Sequence, residues 1–163
     1  MITNTDIQEL GHFMNGQTVL GKSGHFSDVY NPSTGSVIAR VPLATQEEVK
    51  EAINAAQKAF PAWRALSVGK RVEIMLKFRQ LLTDNMDELI DMICKESGKT
   101  KEDAKGEITR GLESVDLAIN APHFLKGEYS VNVGGQINAY STKAPLGVVA
   151  AISPFNFPVM VPL

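Results

Sequence analysis

One amide stands out in Ser153-Pro154-Phe155-Asn156-Phe157-Pro158. Asn156 lies between two aromatics and two prolines. A rigid loop offering a neutral hydrogen-bond donor is a place where chemistry can occur. The residues before it strengthen the point. Leu146 to Ile152 is a continuous apolar run without alternation, the pattern of a strand buried on both faces in a parallel sheet covered by helices. Ligands in open α/β sheets bind just past the carboxyl ends of such strands. The competing reading is a hydrophobic strand followed by a proline-rich turn with no chemical role.

Other reactive residue types give weaker signals. Arg110 stands three residues from both Glu107 and Glu113, and a guanidinium fork suits a carboxylate. The same spacing also makes a surface charge ladder, worth only a few tenths of a kcal/mol per pair. Cys94, the single cysteine, sits at the edge of an apolar helical face and reads as a small buried hydrophobe. Gly98-Lys99-Thr100 resembles the end of a phosphate-binding loop, but the earlier glycine position holds Ile93. His12, His25 and His123 are far apart, and no His, Cys and carboxylate cluster has metal-ligand spacing. No other residue is a credible nucleophile, so an enzyme built on this chain takes its attacking group from elsewhere.

The 163 residues suffice for one domain with a real core. With 44% hydrophobic and 21% charged residues and a net charge of −2, a disordered chain is excluded. Basic residues near Lys70-Arg71 and Lys99-Lys101 are interleaved with acidic ones, which argues against a nucleic-acid binder. One cysteine permits no internal disulfide and fits a reducing, cytoplasmic setting. Met1 to Asp6 lacks the basic and apolar regions of a signal peptide. Ala144 to Leu163 is uncharged, but four prolines interrupt it too often for a membrane helix. The chain finishes apolar at Val159-Met160-Val161-Pro162-Leu163, which reads as a polypeptide cut inside a domain.

Short strands are expected over residues 10–41, with Asn15-Gly16 as a hairpin turn, a turn at Val29 to Gly35, and a strand from Val37 to Val41. Four helices follow. Thr45 with Glu48 forms a capping box for the first, whose apolar face is Val49, Ala52, Ile53, Ala56, Ala59, Phe60 and Trp63; Pro61 should stop or kink it. Ser67 caps the second, with Val72, Met75, Leu76 and Leu82 inward. Asn85 with Glu88 caps the third, which packs Met86, Leu89, Ile90 and Ile93 and closes at Gly98. Thr100 with Asp103 caps the fourth, running to about Asn120. Its apolar surface, Ala104, Ile108, Leu112, Val115, Ala118 and Ile119, is wide enough to touch more than one layer. Glu128 to Val133 and Gln136 to Thr142 flank Gly134-Gly135 as a hairpin, which is expected to dock on another subunit because an isolated one is marginal.

Pro145-Leu146-Gly147-Val148-Val149 and Ile152 to Pro158 strongly resemble the aldehyde dehydrogenase superfamily. So do Asn31-Pro32-Ser33-Thr34-Gly35, Ala59-Phe60-Pro61-Ala62-Trp63 and Glu96-Ser97-Gly98-Lys99, so the resemblance covers nearly everything from Phe13 onward. Phe155, where many members carry Trp, and Gly106 to Gly111 resemble the CoA-acylating methylmalonate-semialdehyde branch. The resemblance implies an α/β fold: helices with short strands over residues 1–126, an oligomerisation hairpin over 127–143, and over 144–163 the first strand of a Rossmann-like NAD-binding sheet. It implies that Ser153 and Phe155 contact NAD, with Ile152 and Pro154 along the same cleft. Asn156 would be the oxyanion-hole amide, and Arg110 and Phe157 would meet the substrate, Arg110 at its carboxylate. The cysteine nucleophile and general-base glutamate would lie beyond Leu163, leaving these residues inert alone. The implied reaction is NAD-dependent oxidation of a (methyl)malonate semialdehyde through a cysteine thioester, with coenzyme A taking the acyl group to give propanoyl-CoA and carbon dioxide, in a cytoplasmic dimer or tetramer. Succinate semialdehyde or betaine aldehyde as substrate, and a non-catalytic oligomerisation module, stay open. An Asn156 amide left in solvent, away from any sheet end, would count against the reading.

Overall fold

The structure, a computed structural model, describes residues 7–163. Met1–Asp6, expected not to form a signal peptide, lie outside the described residues. Asn15 and Gly16 both take positive φ, the geometry of a tight hairpin turn. They join β2 (His12–Met14) to β3 (Gln17–Val19), with Phe13 opposite Thr18. A separate sheet has β5 (Val37–Pro42) at its centre. There β1 (Gln8–Glu9) pairs parallel on one side and β4 (Phe26–Tyr30) antiparallel on the other, with an irregularity at Val29/Tyr30.

Thr45 and Glu48 form the expected capping box at the start of α1 (Gln46–Ala65). The helix runs one turn past Pro61 instead of stopping there; the proline ring already holds a helical φ, though its missing N–H leaves the Gln57 carbonyl without a helical donor. The expected inward face of α1 is only partly covered, since Val49, Ile53 and Trp63 remain exposed. Ser67 caps α2 (Val68–Asp84), as expected. Asn85 does not cap α3 (Met86–Ser97). Its side chain donates instead to the Leu81 carbonyl, closing α2. Gly98 ends α3 in the left-handed conformation, and Thr100 caps α4 (Lys101–Ile119). A short helix, α5 (Ala121–Phe124), follows directly on α4, whose end near Asn120 is as expected.

The core lies where α4 meets α2 and α3. Ala104, Ile108, Leu112 and Val115 of α4 are buried, with Ile90 and Ile93 of α3 against them. Each large aliphatic side chain removed from water there contributes about 1.5–3 kcal/mol. The Arg79–Asp116 ion pair crosses from α2 to α4 at the rim.

The hairpin is present but shorter than its sequence pattern. β6 (Tyr129–Ser130) pairs antiparallel with β7 (Ala139–Tyr140). The turn between them is wide because Asn132 and Gln136 also adopt positive φ, with the Gln136 N–H donating to Asn132 Oδ1 at 2.7 Å. Every residue from Lys126 to Thr142 is exposed. No described helix is long and apolar enough to cross a membrane.

The buried strand expected at Leu146 to Ile152 is not formed. These residues carry no strand assignment, and Leu146 and Ile152 are 96% and 101% exposed. The physical reason is simple: a central strand is defined by its neighbours, and no described strand lies beside this one.

Candidate functional site

After the exposed run the chain turns and docks. Phe157, Pro158, Val159 and Met160 are half-buried, and Val159 packs against the α3–α4 core. Gly111 of α4 makes room for this segment. A Cβ there would stand 2.7 Å from Leu163 Cδ1 and 3.3 Å from Met160 Cα.

The dock is organised by one carboxylate. Glu107, on α4, is fully buried. Its Oε1 accepts the backbone N–H groups of Val159 at 2.8 Å and Met160 at 3.1 Å. Its Oε2 accepts from Lys99 Nζ at 2.5 Å. Lys99 in turn donates to the backbone carbonyl of Asn156 at 2.7 Å and sits 4.4 Å from the centroid of the Phe157 ring. Burial pushes the Glu107 carboxyl up, but the ammonium and the two N–H groups outweigh it and hold it below its ordinary range.

Sequence reasoning missed this cluster. Glu107 was expected beside Arg110 in a surface ladder or a carboxylate site; instead the two part company, with Glu107 inside and Arg110 exposed. One signal was available. Glu107 lies between Ala104 and Ile108, on the helix face that is buried on both sides of it.

The other singled-out residues are placed as follows. Ser153, Pro154 and Asn156 are exposed, as are Ile152 and Phe155, the last at 93%. Asn156 thus stands in a turn in solvent, not at a sheet end, which corrects the expected placement and counts against an oxyanion role read from the geometry of these residues; the missing strand neighbours are again the reason. Its backbone is held by Lys99, while its side-chain amide makes no hydrogen bond among the described residues. Phe155, Asn156 and Pro158 line one side of a cleft of about 380 Å³, with Pro32, Ser97 and Lys99 on the other. Arg110 shares no hydrogen bond or ion pair with this turn. Cys94 is half-buried against the core, as its place in the helical pattern implied.

The turn's sequence and its seat on α4 can be set against known proteins. Residues 19–163 match the aldehyde dehydrogenase family. The chain belongs to that family. It is 51% identical over 154 residues to the malonate-semialdehyde dehydrogenase of Pseudomonas aeruginosa, covering 94% of this chain and 31% of that protein. It is 46% identical over 152 residues to the acylating methylmalonate-semialdehyde dehydrogenase of Arabidopsis thaliana, covering 93% of this chain and 25% of that one. The crystal structure of a Sinorhizobium meliloti protein complexed with NAD superposes with a TM-score of 0.92 at 45% identity, over 96% of this chain and 32% of that one. The aldehyde dehydrogenase fold is therefore shown, and the chain spans about a third or less of the length of these relatives.

Proposed function

We propose that the protein containing this chain oxidises malonate or methylmalonate semialdehyde with NAD, releasing the substrate carboxyl as carbon dioxide and passing the remaining acyl group to coenzyme A. The observation that carries the reading is the identity of about half to malonate- and methylmalonate-semialdehyde dehydrogenases along almost the entire chain. In this reading a thiolate from outside these residues attacks the aldehyde carbon, and the carbonyl oxygen becomes an alkoxide. The Asn156 side-chain N–H, without a hydrogen-bond partner among the described residues, donates to that oxygen as its charge develops. An amide suits the role because it donates at any pH and brings no negative charge. Bound NAD supplies the hydride acceptor. Ile152 and Phe155 would give it an apolar wall and Ser153 a hydroxyl, which fits one side of an extended dinucleotide; the side chains are exposed and unengaged. Arg110, exposed on α4, would take the substrate carboxylate, and Phe157 would meet the substrate. Coenzyme A as acyl acceptor rests on the acylating relative. Assembly through the exposed hairpin belongs to the same reading: Tyr129, Val131, Ile137 and Tyr140 leave an apolar strip uncovered.

The test is NADH formation by the full-length protein with malonate semialdehyde, methylmalonate semialdehyde, succinate semialdehyde, betaine aldehyde and propanal, each with and without coenzyme A. The first two should be preferred and should require coenzyme A for steady turnover. Asn156→Ala should lower kcat by about 10²–10³-fold while NAD still binds. Arg110→Leu should raise KM for the acidic semialdehydes more than for propanal. Preference for succinate semialdehyde or betaine aldehyde would reassign the substrate, and no NADH from any aldehyde would favour a non-catalytic module.

A further inference from the structure

We infer that Glu107 and Lys99 are positioning residues, which fix the turn from Asn156 to Met160 at its two ends and so set where the Asn156 amide points. The inference rests on the oxyanion role proposed for Asn156. Lys99 holds the backbone at the Asn156 carbonyl, and Glu107 holds it three and four residues later at the Val159 and Met160 N–H groups. The two side chains are themselves joined, so both ends of the turn are referred to one rigid point. That point is well anchored. Glu107 stands on α4 between the core residues Ala104 and Ile108, and Lys99 follows the Gly98 cap of α3. Between the Asn156 carbonyl and the Val159 N–H lie only Phe157 and Pro158. Pro158 has a fixed φ, and Phe157 packs its ring beneath the Lys99 ammonium. The Asn156 side chain hydrogen-bonds to neither anchor, so it is aimed through the backbone. A misplacement of about 1 Å in such a group can cost about 10²-fold in rate.

A double-mutant cycle in the full-length enzyme tests this. Glu107→Gln keeps an oxygen for the Val159 and Met160 N–H groups but removes the charge that Lys99 needs. It should lower kcat about 10²-fold, with KM for NAD within about threefold of wild type. In an Asn156→Ala background it should lower kcat no further, because there is no amide left to aim. Lys99→Met should behave alike, and Lys99→Arg, which keeps a cation over Phe157, should recover most of the activity. Helical circular dichroism of each variant guards against unfolding, and Lys99→Met serves for the cycle if Glu107→Gln does not fold. Glu107→Gln with unchanged kcat, or losses that multiply in the double variant, would overturn the inference and leave the oxyanion reading intact. An Asn156→Ala enzyme as fast as wild type would overturn the oxyanion reading and the inference with it.

Discussion

Glu48 and Glu107 are buried carboxylates that do similar work in two regions of the chain. Glu48, at the start of α1, accepts the Thr45 N–H at 2.8 Å and the Lys22 N–H at 2.7 Å, so it pins the strand region to the first helix. Glu107, within α4, accepts the Val159 and Met160 N–H groups and pins the Asn156 turn to the third and fourth helices. The backbone of Thr45, then that of Lys22, holds the Glu48 carboxyl low; at Glu107 burial works the other way and is overcome by Lys99 and the two N–H groups. The difference lies in the counter-charge. Lys99 neutralises Glu107 directly, whereas His12 Nε2 is 3.7 Å from Glu48 and makes no hydrogen bond there. Glu48 is thus buried chiefly on backbone donors, one from the cap residue Thr45 and one from Lys22, 26 residues away, with His12 contributing only at a distance. In mid-helix, where the helix uses its own donors, Glu107 needs partners brought from afar.

The sharpest way to break this pairing is Glu107→Ala. It strands the Lys99 ammonium and two buried N–H groups, and should cost about 3 kcal/mol of unfolding free energy, read by urea denaturation of the full-length protein. Glu48→Ala removes a cap and one tertiary hydrogen bond but leaves no buried cation. Its effect should be smaller, a fall in Tm of about 2–4 °C by calorimetry. Equal losses in the two variants would remove the distinction drawn between them.

Acid gives a gentler test. Both carboxyls ionise more readily in the folded protein than at their ordinary value of 4.5. Their contribution is therefore complete above that value and is lost as pH falls through the lower folded ones. Tm should decline below about pH 4.5, and replacing either Glu by Gln should flatten the decline. A Gln variant with the wild-type acid slope would show that the carboxyl it replaces does not titrate with folding.

The same contrast explains what could be seen in the sequence. Glu48 was legible because its partner Thr45 is three residues away and Thr-x-x-Glu is a local signature. The Asn15-Gly16 turn, the Gly98 cap and the α4 core face were legible for the same reason, each being written within one turn or one helical period. The role of Glu107 was not, because its N–H partners lie 52 and 53 residues on. Locally it looked like part of a ladder with Arg110. The apolar run from Leu146 to Ile152 failed in the opposite sense. Its composition states a preference for burial, but burial requires neighbouring strands that the described residues do not provide. Asn156 was found by its neighbours' types; its place in a solvent-exposed turn was not foreseen, since it depends on that unmade sheet.

The most direct measurement of the clamp is hydrogen exchange at the Val159 and Met160 amides in the full-length protein, wild type against Glu107→Ala. Both amides should be protected in the wild type and should exchange at least tenfold faster in the variant, while the amides of α4 keep their rates. If Val159 and Met160 exchange alike in the two proteins, the buried carboxylate does not hold the turn.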